Sequence, residues 1–229
     1  NKHVIIFDDT TRVGEYLLYT DEEPAAIPGV VNVKIPLTSI ACLSTTYLPF
    51  IDKLNESPSI LGVANAQFVR NKNVYAQLSM GVTRNISANV EIDIETVLEI
   101  NPDVLMVYPF NSPDYSKMKN LGIKIFYNTE YKETHPLGQA EWIKLFGLLY
   151  GKEVEANALF NGIESDYNST LESVATSFKV KVLAGSIFQD KWSSPGGKSM
   201  GARLIEDAGG ELIWQDERTG SYSQDIASV

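Results

Sequence analysis

From Pro136 to about Thr176 the chain carries no strand signal, and this gap organises everything on either side of it. Trp142, Leu145, Phe146, Leu149 and Tyr150 fall on one helical face, and Ala156, Leu159, Phe160 and Ile163 continue it. About 40 residues of helix at 1.5 Å per residue extend about 60 Å. That is too long for an ordinary crossover between neighbouring strands. Gly151 permits a bend, so the pattern predicts a helix or near-continuous helix pair, a rigid spine joining two lobes.

Before the spine, strands and helices alternate. His3 to Phe7, Val13 to Thr20 and Val30 to Pro36 are β-rich runs separated by Pro and Gly, and they read as a small meander over residues 1–36. Ser39 to Leu43 is a buried strand, followed by the polar loop Ser44-Thr45-Thr46. A helix from about Tyr47 to Asn55 places Leu48, Ile51 and Leu54 at helical spacing. Ile60 to Val63 is a short strand. Asp93 to Ile100 is helical, with Ile94, Val97 and Leu98 inward, and Asn101-Pro102 stops it. Asp103 to Tyr108 is a continuous apolar run, as in a sheet covered on both faces. A helix from Ser112 to Leu121 ends at Gly122, and Ile123 to Tyr127 is the next strand. This alternation is the α/β signature.

After the spine the rhythm resumes. Lys179 to Ala184 reads as a strand, Gln189 to Lys198 as a loop, Ser199 to Ala208 as a helix closed by Gly209-Gly210, and Leu212 to Trp214 as a short strand. The expected organisation is an N-terminal α/β lobe over residues 1–135, a helical spine over 136–176 and an α/β lobe over 177–229. About 50 residues follow the spine, too few to match the first lobe, so the second lobe is expected to be incomplete in this chain.

Charge and composition exclude several classes of activity. The net charge is −10, and no Lys/Arg cluster offsets it, so nucleic acid is not an expected partner, because a phosphate backbone calls for a basic face. No apolar run approaches the roughly 20 residues of a membrane span. The start at Asn1 inside an apparent strand fits a processed N-terminus or a cytosolic protein. Cys42 is the only cysteine and lies in the apolar run Ile40-Ala41-Cys42-Leu43. It reads as a buried, inert thiol, with neither a disulfide within the chain nor a Cys-based zinc site. His3 and His135 are the only histidines. A divalent-metal site wants several His or Cys with carboxylates, so none is expected. The acids are scattered and no Gly-x-Ser-x-Gly elbow is present, so no catalytic residues are assigned.

Two motifs only look like sites. Phe7-Asp8-Asp9-Thr10 is similar to the paired acids of phosphoacceptor domains, but the best later strand ends in Tyr-Pro rather than Asp, and turn chemistry accounts for the residues. Gly196-Gly197-Lys198-Ser199 is similar to a P-loop, but that motif needs a Gly where Trp192 stands. The two glycines read instead as an approach to a helix start.

What remains is a set of aromatic and hydroxyl residues at strand ends. Ser44, Thr45, Thr46 and Tyr47 follow one strand, Tyr108 and Phe110 end another, Tyr131 follows the next, and Trp192 lies in the corresponding loop of the second lobe. Ligands of open α/β sheets bind outside the carboxyl ends of the strands, and aromatic side chains there can cover a large, flat or apolar ligand. Together they predict a lined cleft. Basic residues are offered only by the second-lobe loop, as Lys191 and Lys198.

The segments IACLSTTYLPFIDKL, VEIDIETVLEINPDVLMV, GIKIFYNTEY, HPLGQAEWIKLFGLLYGKE and AGSIFQDKWSSPGGKSMGARLIEDAGG carry a resemblance. From about Pro36 to Val229 the chain resembles the periplasmic binding proteins of ABC importers for iron–siderophore, haem and cobalamin uptake. The spine segment looks like the branch found in Bacteroidetes-type bacteria. The resemblance implies an α/β fold of two Rossmann-like lobes joined by a long α-helical spine (class III periplasmic binding protein-like). It implies a soluble or lipid-anchored periplasmic protein, not an enzyme. Its ligand would be a metal-chelate small molecule, an iron or cobalt chelate, with no cofactor of its own. Its partner would be an ABC transporter permease dimer at the inner membrane. Many members carry a permease-docking Glu just after the first Ser-rich loop. Tyr47 stands there in this chain, so nearby Asp52 is the first-lobe docking candidate and Glu206 the second-lobe one. The alternatives are a chelatase-like or nitrogenase-component-like enzyme subunit on a similar fold, which would need a His/Glu insertion site or cluster-ligating cysteines, and a surface lipoprotein that scavenges the ligand without a dedicated permease.

Overall fold

Four consecutive residues, Val104 to Val107, have no exposed surface at all, and the sheet they belong to sets the architecture of the first half of the chain. The computed structural model describes residues 1–88, 91–109, 115–174, 179–213 and 216–225. It divides into two compact units, residues 1–131 with 143–157 and residues 132–142 with 158–229.

The first unit opens with β1 (Lys2–Asp8) and β2 (Thr11–Tyr19), an antiparallel hairpin turned at Asp9 (φ 53°). The third strand, β3 (Val31–Lys34), pairs with β2 in parallel, so the opening is not the expected meander. The connection through residues 20–30, with Pro24, Pro28 and Gly29 (φ 82°), is long enough to carry the chain back before it pairs. Tyr16 from β2 stacks on Phe126 at 4.0 Å, and its hydroxyl accepts the Tyr127 amide at 2.7 Å.

The core sheet follows. Its elements are β4 (Ile40–Cys42), α1 (Leu48–Lys53), β5 (Ile60–Val63), α2 (Lys72–Ser79) and β6 (Arg84–Asn85), then the two-residue strands β7 (Ser87–Ala88) and β8 (Glu91–Ile92). Next come α3 (Ile94–Ile100), β9 (Val104–Val107), α4 (Ser116–Asn120) and β10 (Ile125–Tyr127). The strand order is β10-β9-β4-β5-β6, every pair parallel. Both faces must therefore be covered, which explains the unbroken apolar run of β9. Asp103 fixes the register at one end: its Oδ2 accepts from the Thr38 amide (2.7 Å), the Thr38 hydroxyl (2.9 Å) and the Ser39 amide (2.9 Å).

Helix α3 begins at Asp93, whose Oδ1 accepts the Thr96 amide at 3.0 Å, and ends at Asn101 in the left-handed region (φ 42°). Its inward stripe is Ile94, Val97 and Ile100. Leu98, expected inward, is 41% exposed, because it lies about 100° round the helix from Val97. Helix α2 gave no signal in the sequence, since Val74 is its only buried residue.

The region from Pro136 to Thr176 contains helix and no strand among its described residues, but in three pieces rather than a near-continuous pair. These are α5 (Pro136–Glu141), α6 (Ile143–Tyr150) and α7 (Glu153–Val174). The break between α6 and α7 is Gly151 (φ 64°), where the Lys152 amide turns back to the Gly147 carbonyl at 2.7 Å. Helix α7 has 22 residues, about 33 Å at 1.5 Å per residue. Residues 136–142 and 158–174 belong to the second unit, and 143–157 to the first. Within the first unit, Phe146 of α6 is fully buried and stacks on Phe50 at 5.1 Å, and the Leu37 amide donates to the Leu149 carbonyl at 2.8 Å.

The second unit contains β11 (Val180–Val182), β12 (Ser186–Phe188), β13 (Lys191–Pro195), α8 (Met200–Asp207), β14 (Gly210–Leu212) and β15 (Ser221–Asp225). Strands β11 and β14 pair in parallel, and β12-β13-β15 form an antiparallel sheet. Half of the expected loop over Gln189 to Lys198, namely Lys191–Pro195, is thus strand. Gln189 and Asp190 (φ 49° and 59°) close a two-residue hairpin of the kind that usually carries Asn-Gly, so the sequence held no turn signal. Strand β14 ends at Leu212, and Trp214 lies outside the described residues.

Candidate ligand-binding site

The carboxyl ends of β4, β9 and β10 lie side by side in the first unit, and their loops meet there. After β4, Ser44 caps a 3-10 turn at Thr45–Tyr47. Its Oγ accepts the Thr46 amide at 3.3 Å and lies 2.7 Å from the Thr46 hydroxyl. Thr46 Oγ1 in turn donates to the carboxylate of Glu130, beyond β10. Glu130 has no exposed surface, and its own amide donates to Asn128 Oδ1 at 2.9 Å. Asn128 is itself fixed by its amide bond to the Val107 carbonyl at 2.8 Å, and Thr129 Oγ1 donates to the Phe7 carbonyl at 2.9 Å. The hydroxyl loop therefore rests on a buried carboxylate. The sequence does not mark Glu130, because an acidic residue gives no sequence sign of being buried. The hydroxyl run Ser44-Thr45-Thr46 opposite Asn128-Thr129 was the available signal.

Tyr108 is half-buried and Tyr131 is 38% exposed, and their rings meet edge to face at 6.4 Å. They follow the adjacent strands β9 and β10 and form one aromatic pair on this edge. Phe110 lies outside the described residues.

Tyr47 behaves differently from its expected role as a ligand cover. It has no exposed surface, and its ring lies 6.5 Å from Phe146. Its hydroxyl is buried without a hydrogen-bond partner among the described residues. Burial, and then the Glu130 carboxylate, push the phenol far above its usual range. The cause is positional: Tyr47 immediately precedes α1, whose buried Leu48 and Ile51 close onto the core and carry Tyr47 inward.

Phe68, which is not among the residues expected at the site, is 61% exposed. It sits on the 3-10 turn Ala66–Phe68 after β5, the strand beside β4. That turn is held by the Asn65 amide donating to Ser87 Oγ (2.9 Å), by the Phe68 amide donating to the Asn65 carbonyl (2.8 Å), and by buried Val69. The signal was an aromatic residue in a polar run just past the apolar strand.

The docking candidates are each in their own unit. Asp52 is half-buried in the last turn of α1. Its Oδ1 accepts from Ser57 Oγ (2.5 Å) and Asn73 Nδ2 (2.7 Å), and these bonds hold the carboxyl below its ordinary value. Glu206 is exposed on α8. Trp192 is not at a loop tip but the second residue of β13, paired with Ile187 and Gln224. Its ring lies on Gly185, where an added Cβ would come within 2.6 Å, and its indole nitrogen is buried without a partner among the described residues.

The turn Gly196–Ser199 cannot cradle a phosphate, because its amides are already engaged. Gly196 donates to the Gly220 carbonyl (2.9 Å), Gly197 to Asp216 Oδ1 (3.0 Å), Lys198 to the Arg218 carbonyl (2.9 Å) and Ser199 to the Gly196 carbonyl (3.0 Å). Both glycines are needed for this close approach: a Cβ on Gly197 would fall 2.3 Å from the Asp216 carbonyl oxygen. Among the described residues no three His, Cys, Asp or Glu side chains gather closely enough to hold a metal ion.

An uncharacterized lipoprotein of Methanocaldococcus jannaschii is 28% identical over 96% of the chain, which covers 57% of that protein. The chain spans about half the length of the curated relatives it matches. Among solved structures, the periplasmic haem-binding protein of Vibrio cholerae superposes with a TM-score of 0.68 at 15% identity, over 83% of this chain and 71% of that one. The periplasmic vitamin B12-binding protein of the same species gives 0.59 at 13% identity, over 84% and 72%. These likenesses show a shared fold. The sequence profile of periplasmic binding proteins matches residues 40–228, and the chain belongs to that family.

Proposed function

We propose that this chain captures a metal chelate, an iron–siderophore, haem or cobalamin-type compound, and delivers it to the permease of an ABC importer. The observation that carries this reading is the strand-end edge of the first unit. There the hydroxyls of Ser44, Thr45 and Thr46 stand beside the Tyr108–Tyr131 pair, with Phe68 exposed one strand further on. Such an edge offers flat apolar cover together with neutral hydrogen-bonding groups, which suits a large chelate whose charge is largely neutralised by its metal. Family membership and structural neighbours that bind haem and vitamin B12 support the same class. In this reading the protein itself holds no cofactor, and Asp52 and Glu206 are the contacts offered to the permease.

The protein is inferred to act outside the cytoplasm, held at a membrane by a lipid as in its lipoprotein relative. No helix among the described residues is long and apolar enough to cross a membrane.

The test is equilibrium binding of cobalamin, haem and representative ferric siderophores to the full-length protein, followed by tryptophan fluorescence. Saturable, one-to-one binding of one of them, lost on Phe68→Ala with Tyr131→Ala, is the expected result. A folded protein that binds none of these classes would refute the reading.

A further inference from the structure

We propose that a cavity of about 300 Å3 in the second unit is an oxyanion site that takes a carboxylate group. It is lined by Thr134, His135, Lys198, Ser199, Arg203 and Glu206. The chain as a whole is acidic, at −10, yet this lining gathers one of its two histidines, a lysine and an arginine against a single carboxylate.

Hydrogen-bond donors dominate the lining. His135 Nδ1 accepts the Leu137 amide at 3.1 Å, so the neutral ring carries its proton on Nε2 and donates from there. Ser199 is 7% exposed. Its Oγ accepts the Ala202 amide at 3.2 Å, which leaves its own O–H to give. Arg203 presents five donors in a planar fork, of which Nε is engaged by Asp207 at 2.8 Å. Lys198 is paired with Glu217, but those side chains are 58% and 84% exposed, and a pair so open to water does not hold the ammonium firmly.

The shape of the recognition follows from what is already engaged. The backbone amides of Gly196–Ser199 are all taken up internally, so side chains alone select the ligand. A tetrahedral phosphate is best held by a cradle of free amides. A planar carboxylate needs no such cradle and is held in two parallel hydrogen bonds by a guanidinium fork with single donors beside it. The carboxylate could belong to a free small acid or to an arm of the transported chelate. The second source rests on the function proposed above.

Titrating the full protein with sodium citrate should move the 15N resonances of His135 Nε2 and Arg203 Nε saturably. Lys198→Gln should weaken citrate binding at least threefold. His135→Asn, which keeps a cap for the helix, should do the same, and Glu206→Gln should tighten it. Absence of a saturable shift, or tightening on Lys198→Gln, overturns the proposal. Inorganic phosphate binding as tightly as citrate overturns the choice of carboxylate. Haem compared with haem dimethyl ester separates the sources. A preference for the free diacid that Lys198→Gln abolishes assigns the site to the chelate's arm. Intact citrate binding without that preference overturns the chelate-arm source and leaves a free acid as the ligand.

Discussion

The hydroxyl of Thr46 donates to the buried carboxylate of Glu130, joining two loops that lie 84 residues apart in sequence. A carboxylate without solvent depends on every donor it has, so removing one is costly. Thr46→Val should destabilise the protein by about 1–3 kcal/mol, and Thr46→Ser should recover most of the loss. Urea unfolding of the two variants measures this. Equal stabilities would show that the bond contributes nothing.

Phe68 and Tyr47 should respond in opposite ways. Phe68 is largely exposed, so Phe68→Ala should leave the melting temperature nearly unchanged while weakening chelate binding by about 1–2 kcal/mol, roughly tenfold. The Tyr47 hydroxyl is buried without a partner among the described residues. Tyr47→Phe removes that orphaned group and should raise stability by about 1 kcal/mol with affinity preserved. Loss of binding on Tyr47→Phe would return Tyr47 to the ligand surface.

Gly185 carries the ring of Trp192, and a methyl group there would fall 2.6 Å from the indole. Gly185→Ala should therefore cost about 1–3 kcal/mol through overpacking and shift the Trp192 emission to the red as the ring is displaced. Trp192→Ala should also lower stability, since the ring covers a sheet rather than projecting from a loop. An unchanged emission spectrum in Gly185→Ala would contradict the packing.

Asp52 gives a pH dependence of definite sign. The bond from Ser57, and then that from Asn73, lower its pKa in the folded state. The stabilisation is therefore fully present above the ordinary carboxylate range of about 4 and is lost as pH falls through the lowered value. Asp52→Asn should lower the melting temperature at neutral pH, and the gap to wild type should close only as pH falls through the lowered value. A gap that persists in acid would place its origin elsewhere.

The parts of the fold that the sequence disclosed are those where burial repeats at a regular spacing. The run Val104–Val107, the stripe Ile94–Val97 and the helices after Pro136 were all legible for that reason. The hairpin around Gln189-Asp190 was not, because its two residues take up a left-handed turn without the Gly or Asn that usually marks one. The direction of β3 was hidden as well, since an antiparallel and a parallel partner bury the same Val33. At the site, sequence placed aromatics near strand ends but could not say which way each would face. Tyr47 turned into the core with α1, and Phe68, on a turn with no helix to bury it, faced out. Glu130 was invisible because its burial depends on Thr46, a residue far away in sequence.

The first unit is completed only by residues 143–157, which the chain reaches after passing through residues 132–142 of the second. Phe146 fills the space against Phe50 and Tyr47, and the carbonyl of Leu149 receives the amide of Leu37. A nascent chain that has emerged only as far as Trp142 has made all five strands of its parallel sheet but lacks the helix that seals one flank. Translation therefore leaves the rings of Tyr47 and Phe50 without their cover for the time needed to add roughly a dozen more residues, about a second at ordinary elongation rates. A ribosome stalled in that interval would hold a natural substrate for chaperones.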